Sequence, residues 1–131
     1  MFYGIDKRNK FSSATNLGKL SRNELYELYK GCDFGMTASM SNISLVPFEM
    51  LATGLPLIEY RNGSYSYFLG EDTAILIDFD YKELGERIIE AINNPDILKE
   101  MHEKSKQRLE KLSWNNTCEQ FWNILCSSKE K

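Results

Sequence analysis

Short apolar blocks alternate with polar stretches along the chain, and their period changes from helical to strand-like and back. Ser21-Arg22-Asn23-Glu24 has the form of a capping box, with a Ser hydroxyl for the N3 amide and a Glu three residues on to reach back. Leu25, Leu28 and Tyr29 then fall at i, i+3 and i+4, which predicts a helix ending near Lys30-Gly31. Phe34 to Ala38 reads as a short buried strand despite Gly35. Polar Ser39 to Ser44 separates it from a helix over Leu45 to Ala52, with Gly54 at its C-terminal stop. Pro56 to Tyr60 and Ala74 to Ile77 read as further buried strands. The loop Arg61 to Ser66 between them carries the turn dipeptide Asn62-Gly63.

Three helices close the pattern. Asp78 and Asp80 cap the first, which places Leu84, Ile88 and Ile92 on one face and stops at Asn94-Pro95. The second runs from about Asp96 to Leu112 with Ile97, Met101 and Ser105 on one side and charges opposite. The third starts at Trp114 and spaces Cys118, Phe121, Trp122 and Leu125 as a helical face, which predicts that Trp114, Phe121 and Trp122 are core residues. Apolar strands alternating with helices mean an α/β fold, a parallel sheet covered by helices on both faces. About four strands are expected, where a complete dinucleotide-type domain has about six. Residues 1–15 lack sustained periodicity and read as an irregular opening segment, with the folded domain over residues 16–131.

Composition narrows the partners. At 131 residues the chain has room for one core of ordinary size. Its 16 Lys+Arg against 19 Asp+Glu give a net charge of −3, and the densest basic stretch, Lys99 to Lys111, is interleaved with Glu100, Glu103 and Glu110. That balance argues against a nucleic-acid partner, whose phosphates demand a basic face. The cysteines Cys32, Cys118 and Cys126 are odd in number. Cys118 and Cys126 lie about 12 Å apart along a helix axis, too far for a disulfide, so a reducing, cytoplasmic setting is expected. His102 has no companion ligand at metal-binding spacing.

In open α/β sheets, ligands sit at the C-terminal ends of the strands, where loops lead into helices. That rule singles out Ser39 to Glu49, a loop of small polar residues opening into a helix whose amides and dipole suit a phosphate. Pro47 fits the first helical turn, where its missing N–H costs nothing. The plain structural alternative is that Glu49 complements the helix dipole and that Ser44 or Asn42 caps the helix. Glu59 at a strand end reads equally as facing the ligand side or as a solvated carboxylate.

Over Leu17 to Leu125 the sequence resembles the C-terminal nucleotide-sugar-binding domain of GT-B retaining glycosyltransferases, the family 4, group 1 type that carries a Glu-x7-Glu motif. The resemblance rests on L-G-K-L-S-R-N-E-L-Y-E-L-Y, S-L-V-P-F-E-M-L-A-T-G-L-P-L-I-E, D-T-A-I-L-I-D-F-D and the closing S-W with its amphipathic helix. It implies a Rossmann-like fold, the C-terminal half of a GT-B enzyme and N-terminally incomplete. It also implies that Glu49 is the motif's second Glu, accepting both ribose hydroxyls of the nucleotide. A carboxylate suits this because it is acceptor-only and takes two donors at once. Leu45 and Val46 match positions whose amides hold the pyrophosphate, and Asn42, Ile43 and Ser44 match the loop that wraps the donor sugar. Ser41 stands where the family's first Glu contacts that sugar, keeping a hydroxyl but losing the charge. Asn62-Gly63-Ser64-Tyr65 matches the loop over the base region, where Tyr65 or Tyr67 could stack.

The S-N-I-S-L-V-P loop is similar to that of a bacterial rhamnosyltransferase-like branch, which implies a 6-deoxysugar donor such as dTDP-rhamnose and a role in polysaccharide biosynthesis. The function so implied is transfer of a sugar, with retention, from a nucleoside-diphosphate sugar to a glycan or lipid-linked acceptor. No metal and no cofactor beyond the donor are required. The acceptor site and the basic clamp on the diphosphate belong to an N-terminal domain. Lys7, Arg8 and Lys10 have no spacing that assigns them to that clamp, so the 131 residues alone are expected to bind nucleotide and turn over nothing. Peripheral membrane association of a full enzyme and self-association through an open sheet edge complete the expected partners. The alternative is a non-enzymatic nucleotide-binding or degenerate α/β domain. A receiver-like module is disfavoured because Asp33 precedes its strand rather than ending it.

Overall fold

The computed structural model describes residues 12–38, 41–78 and 80–127. Most of the opening segment 1–15, including Lys7, Arg8 and Lys10, and Ser39 of the polar loop lie outside the described residues. The chain divides into two compact units, Met1–Cys32 and Asp33–Lys131.

The first unit holds α1 (Arg22–Lys30). Its capping box forms as the sequence predicts. Ser21 Oγ accepts from the Glu24 amide at 3.4 Å, and the Glu24 carboxylate accepts from the Ser21 amide at 2.7 Å.

The second unit carries β1 (Gly35–Met36), α2 (Val46–Ala52), β2 (Leu57–Tyr60), α3 (Tyr65–Leu69), a 3-10 turn (Glu71–Thr73), β3 (Ile75–Ile77), α4 (Tyr81–Asn93), α5 (Pro95–Lys111) and α6 (Trp114–Ser127). The three strands pair in parallel in the order β1-β2-β3, with Gly35 opposite Leu57 and Ile58 opposite Ile75. The described residues thus hold three strands rather than about four, and the ladder on β1 is shorter than Phe34 to Ala38. Residues of opposite parity on β2 face opposite sides of the sheet. Ile58 joins Ile75, Ile77 and Ala91 in a core cluster under α4 and α5, while Leu57 and Glu59 point the other way.

On that second side Gly35 explains itself. A Cβ there would lie 2.7 Å from Met50 Sδ and 3.0 Å from a methyl of each of Leu55 and Leu57. The missing side chain lets α2 sit close on the strand. The stop after α2 is a Schellman motif: Gly54 takes φ +84°, its amide donates to Leu51 O at 2.9 Å, and the Leu55 amide donates to Met50 O at 3.2 Å.

Four expectations are corrected. The segment after Asn62-Gly63 forms α3, a helix too short to show a period in sequence. On α4 the buried position is Ala91, and Ile92 is exposed. On α5 the inward face is Leu98, Met101 and Ser105, with Ile97 turned outward, and Ser105 is fully buried with its hydroxyl donating to Met101 O at 2.7 Å. On α6, Trp114, Phe121 and Trp122 are exposed rather than core, because helical spacing defines an apolar face without supplying anything to cover it.

Candidate functional site

A cleft of about 260 Å³ opens at the C-terminal ends of β1 and β2. One wall is the loop before α2, from which Asn42, Ile43 and Ser44 line the space, with Pro47 from the first turn of the helix. Thr37 and Ala38 after β1 and Glu59 of β2 form the floor. Ser64 and Tyr65 at the start of α3 close the far side. The polar loop and the strand-end rule therefore converge on one place.

The helix opening is built locally. The Ser44 hydroxyl accepts from the Val46 amide at 3.3 Å, Pro47 occupies the first turn without an N–H to satisfy, and the Glu49 amide makes its bond to Leu45 O at 3.0 Å. The capping expected of Ser44 or Asn42 is not made: Leu45 is the N-cap, no side chain caps the helix, and Ser44 sits one residue before it. Glu49 stands exposed in this turn, outside the cleft lining. Leu45 is exposed as well, and Val46 is half-buried. Ser41 is exposed, with its hydroxyl donating to Asn42 Oδ1 at 3.1 Å.

Glu59 is the feature the sequence undervalues. It is 3% exposed, not a solvated strand-end group. The Thr37 hydroxyl donates to its Oε1, and the Tyr60 backbone also hydrogen-bonds it. Burial dominates over these bonds and holds its pKa above the ordinary carboxylate value. The signal was present in P-L-I-E-Y, an acid inside an otherwise apolar strand.

Tyr65 is buried, and burial raises its phenol pKa further from neutrality. Its OH lies 2.9 Å from Thr73 Oγ1. Thr73 directs its one hydroxyl proton at the carbonyls of Leu69 and Gly70, each at 3.1 Å, so Tyr65 is the donor to Thr73. Tyr65 is thus a fixed wall of the cleft, whereas Tyr67 stands out in solvent. Ser64 Oγ is buried and has no hydrogen-bond partner among the described residues. Thr37 is the polar lining residue that sequence reasoning leaves unassigned, and Ser64 enters there only as part of the loop over the base region. A lone hydroxyl in a loop carries no spacing signal.

Residues 5–108 match the sequence profile of the family described as Glycosyl transferases group 1. The chain belongs to that family. An uncharacterized glycosyltransferase from Methanocaldococcus jannaschii is 28% identical to this glycosyltransferase domain over 110 residues, covering 82% of the chain and 31% of the relative. Among solved structures, a sucrose-phosphate synthase from Thermosynechococcus elongatus superposes with a TM-score of 0.66 at 20% identity, covering 87% of this chain and 30% of that one. An α,α-trehalose-phosphate synthase (UDP-forming) from Burkholderia vietnamiensis gives 0.69 at 19% identity, covering 93% and 30%. These likenesses establish the Rossmann-like α/β fold of GT-B glycosyltransferases. The glycosyltransferase domain spans about a third of the length of each of these relatives.

Among its described residues, no helix is long and apolar enough to cross a membrane, and no three metal-ligating side chains gather as a metal site would require.

Proposed function

We propose that residues 16–131 form the donor-binding domain of a glycosyltransferase that moves a sugar from a nucleoside-diphosphate sugar to a glycan or lipid-linked acceptor with retention. The observation that carries this reading is the convergence of Asn42, Ile43 and Ser44 on one cleft at the C-terminal strand ends of a group 1 glycosyltransferase domain. Glu49 is assigned to the ribose hydroxyls, and its exposed position in the first turn of α2 supports that role. The amides of Leu45 and Val46 are assigned to the pyrophosphate, and Ser41 to Ser44 to the sugar. A UDP-forming relative supports a nucleoside diphosphate as leaving group.

For the donor, dTDP-rhamnose is the first candidate, on the S-N-I-S-L-V-P loop, and a polysaccharide is the proposed product. The acceptor is held outside residues 1–131, so this chain by itself binds donor without turning it over. A cytoplasmic setting and the absence of any cofactor beyond the donor belong to the same reading.

Ligand-observed NMR titration with UDP, dTDP, GDP and their sugar nucleotides, on wild type and Glu49→Ala, tests it. Binding of at least one nucleotide, weakened in the variant, is expected. No binding up to several millimolar, or equal binding by Glu49→Ala, sinks the assignment. A preference for UDP-glucose over dTDP-rhamnose would remove rhamnose as the donor.

A further inference from the structure

Glu59 is costly to the fold. It lies on a strand whose neighbours Leu57 and Ile58 are fully packed, and burying a carboxylate without a cationic partner is unfavourable. Among the described residues that line the cleft there is no Lys, Arg or His, so no cation within it repays that cost. What the cleft offers Glu59 is the Thr37 hydroxyl on the neighbouring strand, which occupies Oε1. The Tyr60 backbone makes a second bond to Glu59, and of a carboxylate's about four acceptor sites the rest keep capacity for further donors.

The same cleft contains a buried hydroxyl with no partner of its own among the described residues, Ser64 Oγ. Buried hydroxyls in native proteins are nearly always hydrogen-bonded, and exceptions call for an explanation. An acceptor-only carboxylate beside a hydroxyl of either polarity is complementary to a ligand that presents several O–H groups. It is not complementary to a phosphate, which Glu59 would repel. Segment 41–48 itself contains no acid, so the carboxylate of this cleft comes from the sheet and not from the loop.

Resting on the donor-binding reading above, we infer that Glu59, held by Thr37, accepts hydroxyl hydrogens of the donor's sugar ring and so determines which sugar the cleft takes. Ser64 contributes the second contact to the same ring. The nucleotide and diphosphate remain with the helix-side residues, and Glu59 has no part in holding them. Donor recognition then divides between two carboxylates: Glu49 serves the nucleoside diphosphate half, and Glu59 serves the sugar half.

The two halves separate in an affinity measurement. Calorimetric titration of wild type, Glu59→Gln and Glu49→Ala with dTDP, dTDP-rhamnose, UDP and UDP-glucose gives, for each protein, the affinity ratio of a sugar nucleotide to its parent diphosphate. Glu59→Gln is expected to lower that ratio by about tenfold, the usual effect of losing a charge-assisted hydrogen bond, while diphosphate affinity stays within about twofold of wild type. Glu49→Ala should weaken both ligands together and leave the ratio unchanged. An unchanged ratio in Glu59→Gln overturns the inference and leaves the donor-binding reading intact. Failure of wild type to bind any of the four ligands overturns both.

A readout on wild type alone guards against a misfolded variant. The Thr37 methyl and Glu59 side-chain NMR signals should shift on adding the sugar nucleotide and stay put with the diphosphate. Equal shifts with both ligands refute the assignment.

Discussion

Arg61 reaches from the end of β2 to Glu83 in the first turn of α4, with Nη2 2.9 Å from Glu83 Oε1 and 2.8 Å from the Leu76 carbonyl of β3. One guanidinium therefore ties a strand end, a strand backbone and a helix start together. Asp78 joins through Arg61 Nε at 3.6 Å, and its own amide donates to Glu83 Oε2 at 2.8 Å. This lock keeps the turn after β2 in place, and the turn leads directly into Ser64 and Tyr65.

The lock has a titration signature. The Asp78 N–H first, and then Arg61, hold the Glu83 pKa below the ordinary carboxylate value. Stability from such a group is present above the unfolded-state pKa and is lost as pH falls through the lower folded value. In Arg61→Met the Glu83 pKa should rise yet remain depressed, since the Asp78 amide still donates. Carbon-detected NMR titration of the Glu83 carboxyl checks this, and an unmoved midpoint would show that Arg61 contributes nothing.

Glu59 has the opposite sign. Its folded pKa is raised, so the folded state holds the proton more tightly than the unfolded chain. The cost of burying it is absent below the unfolded-state pKa and grows as pH rises through the folded one. Glu59→Gln, which keeps an acceptor for Thr37, should melt a few degrees higher than wild type near pH 7.5 and at the same temperature near pH 4. Thermal unfolding followed by circular dichroism at the two pH values decides it.

Gly54 closes α2 at φ +84°, and a Cβ there would also meet His102 Cε1 at 3.3 Å. Gly54→Ala should cost about 1–2 kcal/mol through the left-handed backbone alone. Urea denaturation should show that loss with an unchanged m-value, because the exposed surface on unfolding is the same.

Removing the exposed Glu49 should leave the fold intact. Glu49→Ala is expected to unfold within about 0.5 kcal/mol of wild type, as surface substitutions do. It should weaken nucleoside diphosphate binding by about 10- to 100-fold through loss of charge-assisted bonds. A stability loss comparable to that of Gly54→Ala would mean that Glu49 acts in the helix and not on the ligand.

The legible parts of this chain are those fixed by local chemistry. The Ser21-Glu24 box, the Gly54 stop and the Pro47 turn each follow from a backbone need that one residue type meets, and each forms where the sequence puts it. Strands β2 and β3 are legible too, because strands buried on both faces leave largely apolar runs, broken on β2 by Glu59. The face of a helix is harder to read. Ile92 and Ile97 have the right chemistry, but Ala91 and Leu98 have the right angle once neighbouring elements fix the rotation. In the cleft, Asn42, Ile43 and Ser44 follow from a motif that is contiguous in sequence. Thr37, Glu59 and Ser64 come from three separate elements and meet only through the register of β1 on β2 and the turn that Arg61 anchors.

The chain has two tryptophans, Trp114 and Trp122, and both stand exposed on α6. Indole fluorescence is therefore a private optical channel for that helix, silent about the sheet and the cleft. Emission near that of free indole in water is the baseline. Any blue shift, whether on dilution series, added chain or vesicles, reads directly as the covering of one aromatic face, with no label introduced.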